Sequence, residues 1–175
     1  GDNIVYYQGS SKYIQLLDIS RRNPRPVSIT PTGNSNRFDL TMANERIAWN
    51  EWRSSPSPGK WHIFVYDLGA DGKYGTNDCT GVRCEGVYDV TANAPGQLRG
   101  RPGIYENKIV WDDKRTGINH VYLYDLGPDG AFGTNDCYPN GVCEGEHQIT
   151  TNPAGNIYPS ISGNRIVWVT GDYYD

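Results

Sequence analysis

The sequence predicts an all-β fold, built from short antiparallel strands that are grouped into repeated units. One stretch occurs twice, at residues 61–91 and 120–150, with Asp67 and Asp125 at matching positions 58 residues apart. The 13 Tyr and 5 Trp place apolar area in side chains that favour strands, and 21 Gly and 11 Pro make turns frequent. No long helical pattern is present. A repeat of this length is typical of units that share their cores with their neighbours.

The first half of the chain consists of short apolar runs separated by turn residues, with no room for helices. Both faces of the run 61–68 are largely apolar, so we expect a strand inside a sheet that is packed on two sides. Loops are expected at 31–37 and 53–60, and a long loop at 67–86. The strands are predicted, in order, at residues 3–7, 13–19, 27–30, 38–42, 45–49, 61–68 and 87–91.

The second half repeats this order after a loop at 92–100. Its strands are predicted at residues 101–105, 108–111, 121–126, 147–150, 158–162 and 163–170. Residues 1–7 match residues 163–169, which are the second strand of a unit. The units are therefore expected at 1–30 (second to fourth strand), 31–91 and 92–150 (complete), and 151–175 (first and second strand). Four-stranded units in series are typical of β-propeller blades, so the predicted fold is propeller-like, with about three repeats, and open or incomplete.

The charge and hydropathy of the chain exclude some functions. The net charge of −4 and the isoelectric point near 5.3 argue against a nucleic-acid partner, which favours a basic face. No stretch approaches the roughly 20 apolar residues of a membrane span. No signal peptide is visible at Gly1, so we expect a mature chain or a segment of a larger protein.

The four cysteines fall as one short-range pair in each repeated loop. Because the loops repeat, we favour Cys79–Cys84 and Cys137–Cys143 over the two other connectivities. Such disulfides indicate an oxidising compartment, so we expect an extracellular or cell-surface protein. The alternative is a zinc site of four thiolates, but the pairs lie on separate repeats and their spacings exceed those of a usual zinc knuckle.

Each repeated loop carries oxygen donors at the spacing of an EF-hand-type calcium loop, although no helices flank it. Counting Asp67 as position one, carboxylates fall at positions five and twelve, Gly at six, and a main-chain carbonyl ligand at seven. Position three is Gly69 or Gly127, so one ligand is missing, and position twelve is Asp instead of Glu. The predicted Ca²⁺ ligands are Asp67, Asp71, Lys73 and Asp78 in the first loop, and Asp125, Asp129, Ala131 and Asp136 in the second.

Two alternatives stay open at these loops. The missing ligand could come from Asn77 and Asn135, or from Glu85 and Glu144. Without a metal, each loop would be an Asp/Gly-rich turn whose side chains bond their own backbone. We favour calcium because the spacing repeats in full, and because a metal and a disulfide together would brace a loop of this length.

No catalytic constellation is visible, so we expect no enzyme. Asp112 and Asp113 with Arg115 are paired carboxylates, but a solvated turn is the better interpretation. His62, His120 and His147 are scattered, and no nucleophile, zinc-protease or phosphate-binding motif is present. One aromatic residue recurs in the second strand of each unit, and core packing is favoured over a carbohydrate-stacking surface. These residues are Tyr6, Trp49, Trp111 and Trp168.

The runs 107–126 and 146–168, with a shorter echo in 45–68, resemble the TolB-like β-propeller repeats of bacterial and archaeal surface and periplasmic proteins. The recurring features are a Ser-Gly-Asn turn before the second strand, a Trp that ends it, and a Tyr-Asp pair that ends the third strand. The resemblance implies blades around an axis and a non-catalytic scaffold for binding or assembly. The chain departs from the family pattern in its number of units, since such propellers commonly close with six blades and this chain has about three.

The unequal ends of the predicted fold lead to a hypothesis about assembly. The first unit lacks one strand and the last offers two, so strands of one copy could complete the sheet of the next. Such a contact is heterologous and propagates into a ring or filament. We therefore expect an extracellular structural protein of calcium-bound, disulfide-stapled blades that join head to tail, with other copies of itself as partners. The alternative is a ligand- or glycan-binding propeller segment of a larger surface protein.

Overall fold

The computed structural model describes residues 2–9, 13–30, 36–55, 59–95 and 100–171, and in these ranges it is all-β without a helix. The strands are β1 (Asn3–Gln8), β2 (Tyr13–Asp18), β3 (Val27–Ser28), β4 (Arg37–Ala43), β5 (Arg46–Arg53), β6 (Lys60–Asp67), β7 (Cys79–Thr80), β8 (Arg83–Cys84), β9 (Gly86–Asp89), β10 (Gly103–Tyr105), β11 (Lys108–Asp113), β12 (His120–Asp125), β13 (Gly145–Gln148), β14 (Asn156–Ser162) and β15 (Arg165–Thr170). Within the same ranges, no helix has the length and apolar character needed to cross a membrane. The predicted loops 31–37, 53–60 and 92–100 lie partly outside the described residues.

The strands form four successive antiparallel sheets, which we number in chain order. Sheet 1 has the order β1-β2-β3, sheet 2 the order β4-β5-β6-β9, sheet 3 the order β10-β11-β12-β13, and sheet 4 is the pair β14-β15. The prediction of an all-β fold with four-stranded antiparallel units is confirmed, and none of the described sheets closes on itself. The arrangement of the sheets as a propeller stays a prediction. The sequence reading missed the short hairpin β7-β8, which lies inside the first repeated loop.

Successive sheets pack face to face, and their alternating side chains enter two different cores. The core between sheets 1 and 2 consists of Ile14, Leu16, Ile29, Ile47, Trp49, Phe64, Tyr66 and Leu68. The core between sheets 2 and 3 consists of Ala48, Ile63, Val65, Val90, Ile104, Ile109, Trp111, Tyr122 and Leu126. Neighbouring residues of β6 therefore face opposite cores, which confirms the predicted strand that is packed on two sides.

The aromatic residue that recurs in the second strand of each unit is a core residue only in the two four-stranded sheets. Trp49 and Trp111 are 1% and 0% exposed, as expected for core packing. Trp168 is 40% exposed, so the expectation of a core position is wrong there. The physical reason is that β15 has only β14 as a neighbour in the described part of the chain, whereas β5 and β11 are central strands.

The second strands also continue beyond the Trp at which they were expected to end, and they carry buried polar residues. Asp112 and Asp113 lie in β11 with 0% exposure, so the interpretation as a solvated turn is wrong. The buried charge of Asp113 is compensated by Arg115, whose Nη2 lies 2.5 Å away. Asp112 accepts the main-chain N–H of Tyr158 at 3.3 Å. Burial raises the pKa of Asp113, although Arg115 opposes this shift.

Candidate functional site

Each repeated loop leaves its sheet at the end of the third strand and returns at the fourth. The first loop begins at Asp67, which is paired in the ladder with Gly86. The second begins at Asp125, which is paired in the same way with Gly145. The extra residue of the second loop therefore lies within the loop and leaves the strand register unchanged.

The predicted ligands at positions five and seven form a local turn in both loops. Asp71 Oδ1 accepts the main-chain N–H of Lys73 at 2.8 Å and the hydroxyl of Thr76 at 3.4 Å. Asp129 accepts the corresponding amide from Ala131, also at 2.8 Å. These contacts are Asx turns, in which an aspartate bonds the backbone two residues further on.

The carboxylates at position twelve reach back to the start of their loops. Asp78 Oδ2 accepts the main-chain N–H groups of Ala70 and Asp71 at 2.9 and 3.0 Å. Asp136 Oδ2 accepts the amide equivalent to that of Asp71 at 2.8 Å. Gly69 is required beside this contact, since its φ is +77° and a Cβ there would overlap the Asp78 carboxylate.

A glutamate from the far side of each loop closes the turn, and we call this arrangement the carboxylate clasp. Glu85 accepts the main-chain N–H groups of Gly75 and Asn77 and the hydroxyl of Tyr66, all at 2.5 Å. Glu144 makes the equivalent contacts in the second loop, with both amides at 2.6 Å. Sequence reasoning considered these glutamates as metal ligands, but the structure places their oxygens on loop amides.

The clasp also changes the acidity of its members. Burial opposes the ionisation of Glu85, but hydrogen bonds from Tyr66 and the loop amides outweigh it and hold the pKa of the carboxyl below its usual range. The pKa of Glu144 is lowered for the same reasons. Burial, and then the hydrogen bond to Glu85, raises the pKa of Tyr66.

The aspartate at position one is committed to ion pairs. Asp67 is 1% exposed, and its carboxylate contacts Arg46 Nε at 2.7 Å and Arg83 Nη2 at 2.8 Å. In the second loop, Asp125 has a looser partner, Lys108, whose Nζ lies 3.5 Å away. Two guanidinium groups thus compete with any cation for Asp67.

Arg46 does more than neutralise Asp67, because its guanidinium joins sheet 2 to sheet 3. It donates to the carbonyl of Glu106 at 2.8 Å, to Asn107 Oδ1 at 3.1 Å, and to the carbonyl of Gly130. Its burial lowers the pKa of Arg46, against the opposing effect of Asp67. Sequence reasoning missed this residue, although its position is occupied by a basic residue in the two following sheets as well, Lys108 and Arg165.

Both predicted disulfides are confirmed, and they close the outer part of each loop. Cys79 is bonded to Cys84 and Cys137 to Cys143, with Cα–Cα distances of 4.1 and 3.9 Å. Within the described residues no free cysteine remains, so a zinc site of four thiolates is excluded while the disulfides are intact.

The described residues contain no group of three or more His, Cys, Asp or Glu side chains that is gathered as for a metal ion. Most carboxylate oxygens of the loops accept main-chain hydrogen bonds instead. One oxygen suits a cation, since Asp78 Oδ1 is buried and has no hydrogen-bond partner in the described part of the chain. Calcium binding therefore stays a prediction.

A calcium titration of the melting curve tests this prediction. If the loops bind calcium, a concentration 100-fold above the dissociation constant adds about 2.7 kcal/mol per occupied loop to the free energy of unfolding, because the ion binds the folded chain. The protein is first dialysed against chelator. Asp78→Asn should reduce the calcium-dependent shift of the melting curve. Magnesium added in place of calcium is a second control. Identical melting curves in excess calcium and excess chelator would exclude a structural calcium site.

The histidines do not converge with the loop carboxylates. His62 lies on β6, and its Nδ1 is 2.8 Å from Asp89 Oδ2. His120 is buried on β12, and the ring of His147 on β13 contacts the Cys143 carbonyl at 3.2 Å. Each histidine is thus held within its own sheet.

A line of three side chains, a carboxylate, a guanidinium and an aromatic ring, runs across the first strands of sheets 2, 3 and 4. Arg101, just before β10, lies 3.9 Å from Asp39 Oδ1 and places its guanidinium carbon 4.2 Å from the ring centroid of Tyr158. Asp39 and Tyr158 both have positive φ, 54° and 56°, at irregularities of β4 and β14. The side chains of Asp39 and Arg101 are 34% and 54% exposed, so this line is accessible to solvent.

Comparison with known proteins does not identify the chain: no protein-family model, no curated protein and no solved structure matches it. The resemblance to TolB-like repeats accordingly stays a prediction.

Proposed function

We propose that the chain is an extracellular structural protein whose sheets stack like blades, and that it associates head to tail with other copies into a filament. The proposal includes calcium in the repeated loops and assigns the chain no catalytic activity. The two disulfides support a location in an oxidising compartment.

The observation that carries the proposal is an apolar face at each end of the sheet stack that is exposed within the described part of the chain. In sheet 4, Val167 and Val169 are 64% and 52% exposed. Val167 takes the position at which Ala48 and Val110 are 0% exposed in the two preceding sheets. The same position of the repeat is thus buried in both complete sheets, each of which has a further sheet beside it, so its exposure in sheet 4 suits a further sheet as neighbour.

The outer face of sheet 1 offers a complementary surface. Val5 packs against the core between sheets 1 and 2, and its neighbour Ile4 points to the opposite face with 45% exposure. This face lies at the other end of the stack from Val167. A contact between two different surfaces is heterologous, so repeating it gives a head-to-tail series.

Charge placed on the outer face of sheet 4 tests the proposal. We expect the wild-type chain to increase in mass with concentration in sedimentation experiments, and Val167→Lys to remain monomeric, because lysine would have to be desolvated in the contact. Val82→Lys is the matched control, since Val82 is 57% exposed in the first disulfide loop and should not affect association. A wild-type chain that stays monomeric at every concentration would contradict the proposal.

A second candidate is a binding surface for a glycan or peptide, favoured by the line Asp39, Arg101 and Tyr158. A carboxylate, a guanidinium and an aromatic ring in contact provide hydrogen bonds and a stacking face for one ligand. The sedimentation experiment separates the candidates, because a stable monomer favours a binding segment of a larger surface protein.

A further inference from the structure

One buried guanidinium crosses the contact between sheets 2 and 3, whereas the equivalent place between sheets 1 and 2 is a cavity. Arg46 is the first residue of β5 and is paired in the ladder with Asp67, the last residue of β6. In sheet 1 the equivalent pair is Asn3 and Asp18. A cavity of about 440 Å³ lies beside Asn3, whose side chain is too short to fill the place that Arg46 takes in the next contact.

The groups that accept hydrogen bonds from Arg46 have equivalents around this cavity. Glu45 takes the position of Asn107, since the amide of Leu68 donates to the carbonyl of Glu45 at 2.8 Å and the amide of Leu126 donates to that of Asn107 at 2.8 Å. Gly72 takes the position of Gly130: a Cβ on Gly72 would meet the Glu45 side chain, as a Cβ on Gly130 would meet Asn107.

The remaining acceptors follow from the same equivalence. The main chain of Asn44 corresponds to that of Glu106, and both residues have positive φ in the turn before the second strand, 53° and 49°. Asp18 corresponds to Asp67 at the end of the third strand. The cavity is thus lined by two carboxylates and two main-chain segments that match the four partners of Arg46, and Asn3 stands at the position of the donor.

We propose that this cavity is a binding site for a guanidinium group. A planar fork with five N–H donors suits acceptors that converge from several directions, and an ammonium group satisfies fewer of them. Arg21 contacts Asp18 at 2.8 Å, but its side chain is 66% exposed and leaves the interior open.

The guanidinium belongs to a small molecule, since the cavity and its acceptors lie within one chain and need no second copy. The site therefore does not depend on the proposed head-to-tail association.

Isothermal titration with butylguanidinium and butylammonium tests the site on the dilute, monomeric chain. The two probes have the same charge and the same alkyl chain. We expect butylguanidinium to bind about tenfold more tightly, which corresponds to one additional charge-assisted hydrogen bond. Equal affinity of the two probes, or no binding of either, would overturn the proposal.

Asn3→Arg fills the cavity from within the chain. The melting temperature of this variant should be about 2–4 °C higher than that of the wild type. The variant should also no longer bind butylguanidinium. Gln8→Arg adds the same charge at the exposed far end of β1 and should do neither. If Asn3→Arg does not fold, Glu45→Gln gives the same test by removing one acceptor charge, and undiminished binding by that variant would count against the site.

Discussion

Replacing Trp111 by alanine is expected to lower the free energy of unfolding by about 3–5 kcal/mol. Trp111 is 0% exposed in the core between sheets 2 and 3, so its removal leaves a cavity that the stacked sheets cannot collapse into. Trp168→Ala is the matched change, since Trp168 has the same position in the repeat but is 40% exposed. We expect it to cost about 2–3 kcal/mol in the monomer, in proportion to the smaller area that it buries.

Urea denaturation followed by circular dichroism measures both variants without depending on tryptophan emission. The measurement is made at a protein concentration below that of any association, so that only contacts within one chain contribute. Equal losses at the two positions would mean that β15 is covered in the monomer, and would contradict the exposure described for it.

Replacing Arg46 by methionine should have an effect of similar size, about 3–5 kcal/mol, because it breaks one of the two ion pairs of the buried Asp67 and removes the donor to three acceptors of sheet 3 and its loop. Asp67 would keep Arg83, at 2.8 Å, as a partial partner. The carbonyls of Glu106 and Gly130 would lose their donor at the contact between sheets 2 and 3. Methionine keeps the stem of the side chain as far as the position of Nε, so the loss reports mainly on the guanidinium.

Lys108→Met is the control for this change. Lys108 opens β11 as Arg46 opens β5, but its side chain is 24% exposed and its Nζ lies 3.5 Å from Asp125. A partly exposed pair of this kind contributes about 1 kcal/mol or less. The losses of unfolding free energy of the two variants, measured by chemical denaturation, should therefore differ several-fold. Equal, small losses would show that Arg46 does not join the sheets.

Much of the fold could be predicted because its signals are local. The strand run 61–68 shows its two apolar faces in consecutive residues, and the repeated loops identify which cysteines pair without knowledge of the fold. The fate of Trp168 could not be predicted in this way. Its local sequence matches that of Trp111, and the difference in burial depends on which strand lies beside it.

The polar contacts were harder to predict because their partners are distant in the chain. Arg46 bonds residues that are 60 and 84 positions away, and in the sequence it is only a charged residue at the start of a strand. The same applies to Glu51, which looks like part of a turn but is buried in an ion pair with Arg37 at 2.8 Å. The loop glutamates were noticed, but the choice between a metal and loop amides as their partner depends on geometry that spacing does not contain.

The disulfide-closed rings of the two loops determine where the repeat can vary in length. The ring between Cys137 and Cys143 is one residue longer than that between Cys79 and Cys84, yet the strands that flank both loops keep the same pairing. Length variation is thus absorbed at the ring and does not reach the stacked sheets. The tips of these hairpins are the part of the chain that tolerates insertions, and so the part on which new surface chemistry could accumulate while the scaffold below stays the same.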